Sequence, residues 1–177
     1  MEETKRRRFI IRAVLEGEVD VQEEPPVQEY PKTLTGDDPG VALGSFDISK
    51  NTEVPPYIAN NSPARAHCIG ENSMGYPVEL GKTYTISVGP DAEAYAVAVR
   101  TFNEDAVAQI ENVQEISAVN NRDTGWITMT DGSASFTTQL INGKDPLCMW
   151  MVFKKNSTGS ATWSSIEDLT PITITES

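Results

Sequence analysis

Residues 126–140 read Trp126-Ile-Thr-Met-Thr-Asp-Gly-Ser-Ala-Ser-Phe-Thr-Thr-Gln-Leu140. Two alternating runs flank a central Asp131-Gly132. In the first, Ile127 and Met129 point one way while Trp126, Thr128 and Thr130 point the other. In the second, Ala134, Phe136, Thr138 and Leu140 alternate with Ser133, Ser135 and Thr137. A period of two marks a half-buried strand. Asp-Gly between two such runs is a strong hairpin signal, because both residues tolerate positive φ. The stretch predicts two paired strands, each apolar on one face.

The pattern extends outward. Upstream, Tyr84, Ile86 and Val88 alternate with Thr83, Thr85 and Ser87, and Gly89-Pro90-Asp91 closes that strand. Tyr95, Val97 and Val99 continue on the next strand, which ends near Asn103. Its other face carries Ala94, Ala96 and Ala98, as expected of a strand covered on both sides. Residues 104–113 hold the best helical signal, Ala106, Val107, Ile110 and Val113 behind Glu104-Asp105. A strand over 114–119 and a turn over 120–123 follow. Downstream, Leu147 to Phe153 is apolar throughout, which predicts a central strand. Ser165 to Asp168 predicts one helical turn, and Thr170 to Glu176 alternates again. Shorter candidates lie at 44–48 and 64–69. No proline falls between Asp91 and Asp145, where the central strands belong. About eight or nine short strands at close spacing predict an all-β fold, a jelly-roll-like antiparallel β-sandwich over residues 39–177.

Residues 1–38 read as an extended N-terminal arm and Pro-rich linker. Phe9, Ile11, Val14 and Leu15 make an apolar run, and Val19 and Val21 then alternate with acidic residues. Glu23-Glu24-Pro25-Pro26 and Tyr30-Pro31 follow, where proline removes ladder donors and keeps the chain extended. An apolar strand on a stiff linker buries almost nothing alone. It folds back on its own domain or adds to a sheet in another chain.

The chain has 177 residues with 38% hydrophobic and 23% charged content, which fits one globular domain plus an appendage rather than a disordered or membrane protein. A net charge of -12 argues against binding a phosphate backbone, since Lys5-Arg6-Arg7-Arg8 is the only basic cluster. Arg12 and Glu16 interrupt the apolar stretch behind it, so it does not read as a signal peptide, and cytoplasmic synthesis is expected. Cys68 and Cys148 make neither a disulfide framework nor a zinc motif. They read as small buried side chains, with a single bridge between them left open.

Few residues suggest catalysis. His67 is the only histidine. Its neighbour Cys68 would leave a strand on the opposite face, so the two make no nucleophile–base pair. No Gly-x-Ser-x-Gly elbow, His-Glu-x-x-His helix or glycine-rich phosphate loop is present. The expectation is a protein without enzymatic activity, cofactor or dedicated metal. Calcium enters only through Asp91, Glu93, Glu104 and Asp105, which lack a calcium-loop spacing. The aromatic residues are more informative. Trp126 shares the polar face of its strand with Thr128 and Thr130, where it either contacts a ligand or lies under the arm or a loop. Trp163, beside a polar loop, is a second contact candidate, while Trp150 on the apolar strand reads as core.

Three segments carry a resemblance: Val78-Glu-Leu-Gly-Lys-Thr-Tyr-Thr-Ile-Ser87, Gly132-Ser-Ala-Ser-Phe-Thr-Thr138 and Met149-Trp-Met-Val-Phe-Lys-Lys155. The first resembles the opening of carbohydrate-binding-module-like jelly rolls. The third resembles the closing half of such modules in phage tail, baseplate and fibre proteins. The likeness spans Val78 to Glu176 and leaves residues 1–77 outside. It implies a bacteriophage virion component of the tail, baseplate or capsid decoration. Such a component would assemble through its arm with other virion proteins or copies of itself. The alternative it implies is a soluble carbohydrate-binding or host receptor-binding module that contacts a surface glycan. Nucleic acid and membrane insertion are not expected.

Overall fold

A computed structural model of the chain describes residues 9–13, 19–23, 30–46, 58–60 and 62–177. The strands in order are β1 (Phe9–Ala13), β2 (Val19–Glu23), β3 (Lys32–Leu34), β4 (Val41–Leu43), β5 (Ser45–Phe46), β6 (Ile58–Asn60), β7 (Ala66–Cys68), β8 (Tyr76–Pro77), β9 (Thr83–Val88), β10 (Ala96–Asn103), β11 (Asn121–Thr128), β12 (Ser133–Thr137), β13 (Pro146–Lys154) and β14 (Ile172–Glu176). One helix, α1 (Glu104–Glu111), follows β10. It starts where Asn103 Oδ1 accepts the Ala106 N–H at 3.1 Å, an N-cap that satisfies a helix-end donor.

Two antiparallel sheets pack face to face. One runs β11-β10-β13-β7-β4 with β8 beside β13, and the other runs β12-β9-β14-β3. Numbering β3, β7, β9, β10, β11, β12, β13 and β14 from 1 to 8 makes the orders 5-4-7-2 and 6-3-8-1. The chain thus passes repeatedly between sheets, in the double Greek-key order of a jelly roll. Between the sheets lie Tyr84, Ile86 and Phe136 from one side and Val97, Val99, Met149, Met151 and Phe153 from the other. The outer face of the larger sheet carries a second cluster, in which Ile69, Phe102, Cys148 and Trp150 pack against Ala106 and Ile110 of α1. The fully buried Ala96 agrees with a strand covered on both faces.

On the outer face of the smaller sheet, β9 and β12 are joined by a hydroxyl ladder. Thr83 meets Thr137 at 2.8 Å, Thr85 meets Ser135 at 2.7 Å, and Ser87 meets Ser133 at 2.8 Å. These are the polar halves of two alternating sequences, brought opposite each other by the register Ser87↔Ser133.

Several expectations change. The Asp131-Gly132 turn forms, with reciprocal bonds of 2.8 and 3.0 Å between Thr130 and Ser133 and positive φ at both central residues. The strands around it do not pair as a hairpin, because β11 joins one sheet and β12 the other. The turn is a corner between layers. The strand expected over 114–119 is absent, and β11 begins at Asn121, inside the expected turn. Leu140 and Leu147 are exposed, since each lies at the margin of its strand's apolar run.

The boundary expected after residue 38 moves forward. β3 pairs with β14, with Ile172 opposite Leu34, and Leu34 is fully buried. Tyr30 packs on the core and donates its hydroxyl to the Pro77 carbonyl. Only a three-residue strand follows Pro31, too short to show a period.

In the arm, β1 and β2 pair with each other as a two-stranded sheet, with Ile11 opposite Val21 and Ala13 opposite Val19. Phe9 and Ile11 lie on β1, and Val19 and Val21 on β2. Val14 and Leu15 fall outside the described residues.

Candidate functional site

The outer face of the larger sheet is sealed by α1 at one end. Toward the other end its middle row reads Trp126 on β11, Ala98 on β10, Val152 on β13 and His67 on β7. The next row reads Thr128, Ala96 and Lys154. Two alanines between larger neighbours make a low floor, across which the flanking side chains meet.

A β-bulge aims Trp126 onto this floor. Ala98 pairs with Trp126 and Arg100 with Asp123, so Thr124 and Gly125 together oppose Val99 alone. Gly125 takes φ 66°, and Thr124 Oγ1 accepts the Val99 N–H at 3.0 Å. The extra residue shifts the side-chain parity, so Asp123 and Trp126 point to the same face although they are three apart. Asp123 there binds the Arg100 guanidinium, with Nε at 3.1 Å. An unbulged strand would turn the indole toward the core.

Trp126 is 43% exposed. Two cations lie over its ring: Lys154 Nζ at 4.8 Å and the Arg65 guanidinium at 5.3 Å. Lys154 Nζ also lies 5.5 Å from the ring centre of Tyr95, itself 40% exposed. These distances are within cation–π range. The loop behind β13 fixes both cations. Arg65 Nη1 donates to the carbonyls of Ala64 at 2.9 Å and Gly159 at 2.7 Å, and Lys154 Nζ donates to Ser157 O at 3.2 Å. Asn156 Oδ1 shapes that loop by accepting the Ser160 and Ala161 N–H groups. A Cβ at Gly159 would lie 2.5 Å from the guanidinium nitrogens, so glycine is what lets Arg65 reach the loop.

The sequence candidates divide. Trp126, Thr128 and Thr130 are all exposed, and Trp126 lies beneath two cations. Trp163 is corrected: it is 2% exposed and belongs to the core between the sheets. Its backbone N–H binds Pro63 O at 2.9 Å, which draws the polar loop inward, and its Nε1 has no hydrogen-bond partner. Trp150 is buried, in the cluster under α1, and donates to Ser73 O at 2.7 Å.

Nothing in the sequence alone singles out Arg65, Lys154 and Tyr95. Tyr95 shares the sequence parity of Val97 and Val99 but precedes the strand, and so escapes the core. The signals in the sequence were Gly125 inside a strand pattern and Gly159 inside a polar loop.

His67 and Cys68 leave β7 on opposite faces, as expected. Cys68 lies between the sheets, while the His67 ring is buried on the other side with Nδ1 unpartnered. Burial pulls the His67 pKa below its ordinary value, partly opposed by the Gly44 backbone. Both cysteines are free, and they lie on opposite faces of one sheet. Burial pushes the Cys148 thiol up to about 12, which leaves it unreactive.

The four acids considered for calcium are split between the two ends of β10. Lys144 Nζ binds Glu104 and Asp105 at 2.8 Å each, and Lys155 binds Glu93 at 3.1 Å. Asp91 and Glu93 line a cleft of about 410 Å³ with Glu167 and Asp168. Among the described residues, no three histidine, cysteine or acidic side chains are placed to hold a metal ion. Nor is any described helix long and apolar enough to cross a membrane.

Compared with known proteins, the chain matches no family model, no curated protein and no solved structure.

Proposed function

We propose that this chain is a non-enzymatic structural component of a bacteriophage virion, joined to its neighbours by the N-terminal arm and displaying the jelly-roll body. The observation that carries the reading is the arm's own two-stranded sheet of β1 and β2. Two strands alone are marginal in water, and each leaves one edge of backbone donors and acceptors unpaired. A third strand from another chain satisfies both needs at once. The resemblance of residues 78–176 to modules of phage tail and fibre proteins names the kind of assembly.

Sedimentation of the full chain against residues 30–177 tests it. The full chain is expected to associate while 30–177 stays monomeric and folded. Equal association of the two sinks the reading.

The exposed Trp126, set over a shallow floor and flanked by Thr128, favours a second reading, a carbohydrate-binding or receptor-binding module. It predicts that Trp126→Ala abolishes saccharide binding in a folded protein. Saccharide binding that survives Trp126→Ala removes this reading.

A further inference from the structure

We infer that the Trp126 face is a binding site for a carboxylate-bearing saccharide, a sugar of the uronic or sialic acid class. The inference deepens the carbohydrate-binding reading and rests on it. Its basis is an imbalance of charge. The chain carries a net charge of -12, so its cations are surrounded by an excess of carboxylates. Lys82, Arg100, Lys144 and Lys155 each pair with at least one, whereas Lys32, Arg65, Arg122 and Lys154 pair with none among the described residues. Arg65 and Lys154 bind backbone carbonyls instead, and among the described residues neither has a carboxylate within ion-pair distance. These two share a single indole ring.

The geometry suits an acid sugar. Of the five guanidinium donors, those on Nε and Nη2 of Arg65 bond to no described residue. Their fork matches a carboxylate, and Lys154 adds a second positive group over the same ring. Both are held in place by the 156–160 loop before any ligand arrives, which lowers the ordering cost of binding. Beside the cations Trp126 and Tyr95 remain 43% and 40% exposed, apolar surface that a pyranose can cover, and Thr128 next to Trp126 is exposed as well.

Other anions fit less well. Two cations are too few for a nucleic-acid backbone, whose binding scales with the number of phosphates neutralised. An acidic peptide would pair along the open edge of β11, the outermost strand of its sheet. The cations lie over the sheet face instead, where no main-chain pairing is offered.

Calorimetric titration of the full chain tests this with oligogalacturonate, a neutral galactose oligosaccharide of equal length, and polyglutamate. The expected result is preference for oligogalacturonate, weakened by salt. Lys154→Gln, which keeps the stem and loses the charge, is expected to cost about tenfold or more in affinity with the melting temperature held. Arg65→Lys serves as a second variant, keeping charge but losing the fork. Equal binding of the neutral sugar, insensitive to Lys154→Gln, overturns the acid-sugar inference and leaves the carbohydrate reading standing. Equal binding of polyglutamate overturns it in favour of general anion capture. Absence of binding to either saccharide overturns both it and the reading beneath it.

Discussion

Replacing Trp126 and Trp163 separately by alanine measures which tryptophan the fold uses and which it displays. Trp163 is 2% exposed in the core, so truncation leaves a cavity between the sheets and is expected to cost about 3–5 kcal/mol. Trp126 differs. With 43% of the residue exposed, roughly 140 Å² of about 250 Å² is covered, and at about 25 cal/mol per Å² this bounds the loss near 3.5 kcal/mol. The stems of Arg65 and Lys154 then settle onto Ala98 and recover most of it, leaving about 1 kcal/mol. For a chain of this size each kcal/mol moves the midpoint by about 2–4 °C. Thermal unfolding should therefore fall by about 2–4 °C for Trp126→Ala and about 6–20 °C for Trp163→Ala, with urea midpoints in the same order. Equal losses would refute the assignment of Trp126 to a surface site.

Three further outcomes follow from particular contacts. A chain starting at residue 30 should melt like the full-length protein, whereas one starting at residue 39 loses Tyr30 and β3 and should be destabilised or unfolded, as circular dichroism would show. Gly40→Ala should cost several kcal/mol in a urea titration, because its φ is +74° and the added Cβ would lie 2.2 Å from the Gly70 carbonyl oxygen. Gly143→Ala, at a positive φ with open space, should cost only about 1 kcal/mol. Burial lowers the His67 pKa from 6.5, so the unfolded chain takes up the proton first. Stability from this residue is full above the unfolded value and is lost as pH falls through the window between the unfolded and folded values. His67→Gln should flatten the dependence of the urea midpoint between pH 7.5 and 5. An unchanged slope would remove His67 as its source.

The sandwich was legible in the sequence because its core strands are half-buried, and half-burial writes a period of two. Tyr84, Ile86, Ala134 and Phe136 all fell on the inner face they were read to occupy. What escaped depended on partners distant in sequence. Asp131-Gly132 encodes a turn but not whether the strands beyond it stay together, and here they part into different sheets. Lys32–Leu34 is too short to have a period, so the body's first strand reads as linker in the sequence. Trp126 stands out in the sequence because an indole on a polar face is anomalous, and it is exposed. Its cations leave no sequence signal, because Arg65, just before β7, and Lys154, at the end of β13, reach it by a contact made through topology and the room Gly159 leaves. Trp163 reads as surface because its flanking residues are polar, although its backbone bond to Pro63 folds the ring inward.

Amide hydrogen exchange of β1 and β2 across a range of protein concentrations tests the assembly claim most directly. If the arm pairs with neighbouring chains, amides of Phe9–Ala13 and Val19–Glu23 should exchange quickly when dilute, as a lone two-stranded sheet must. They should become protected at concentrations where the chain associates, while protection in the sandwich stays constant. Arm amides that exchange at the same rate at every concentration, in a chain that nonetheless associates, would contradict the account.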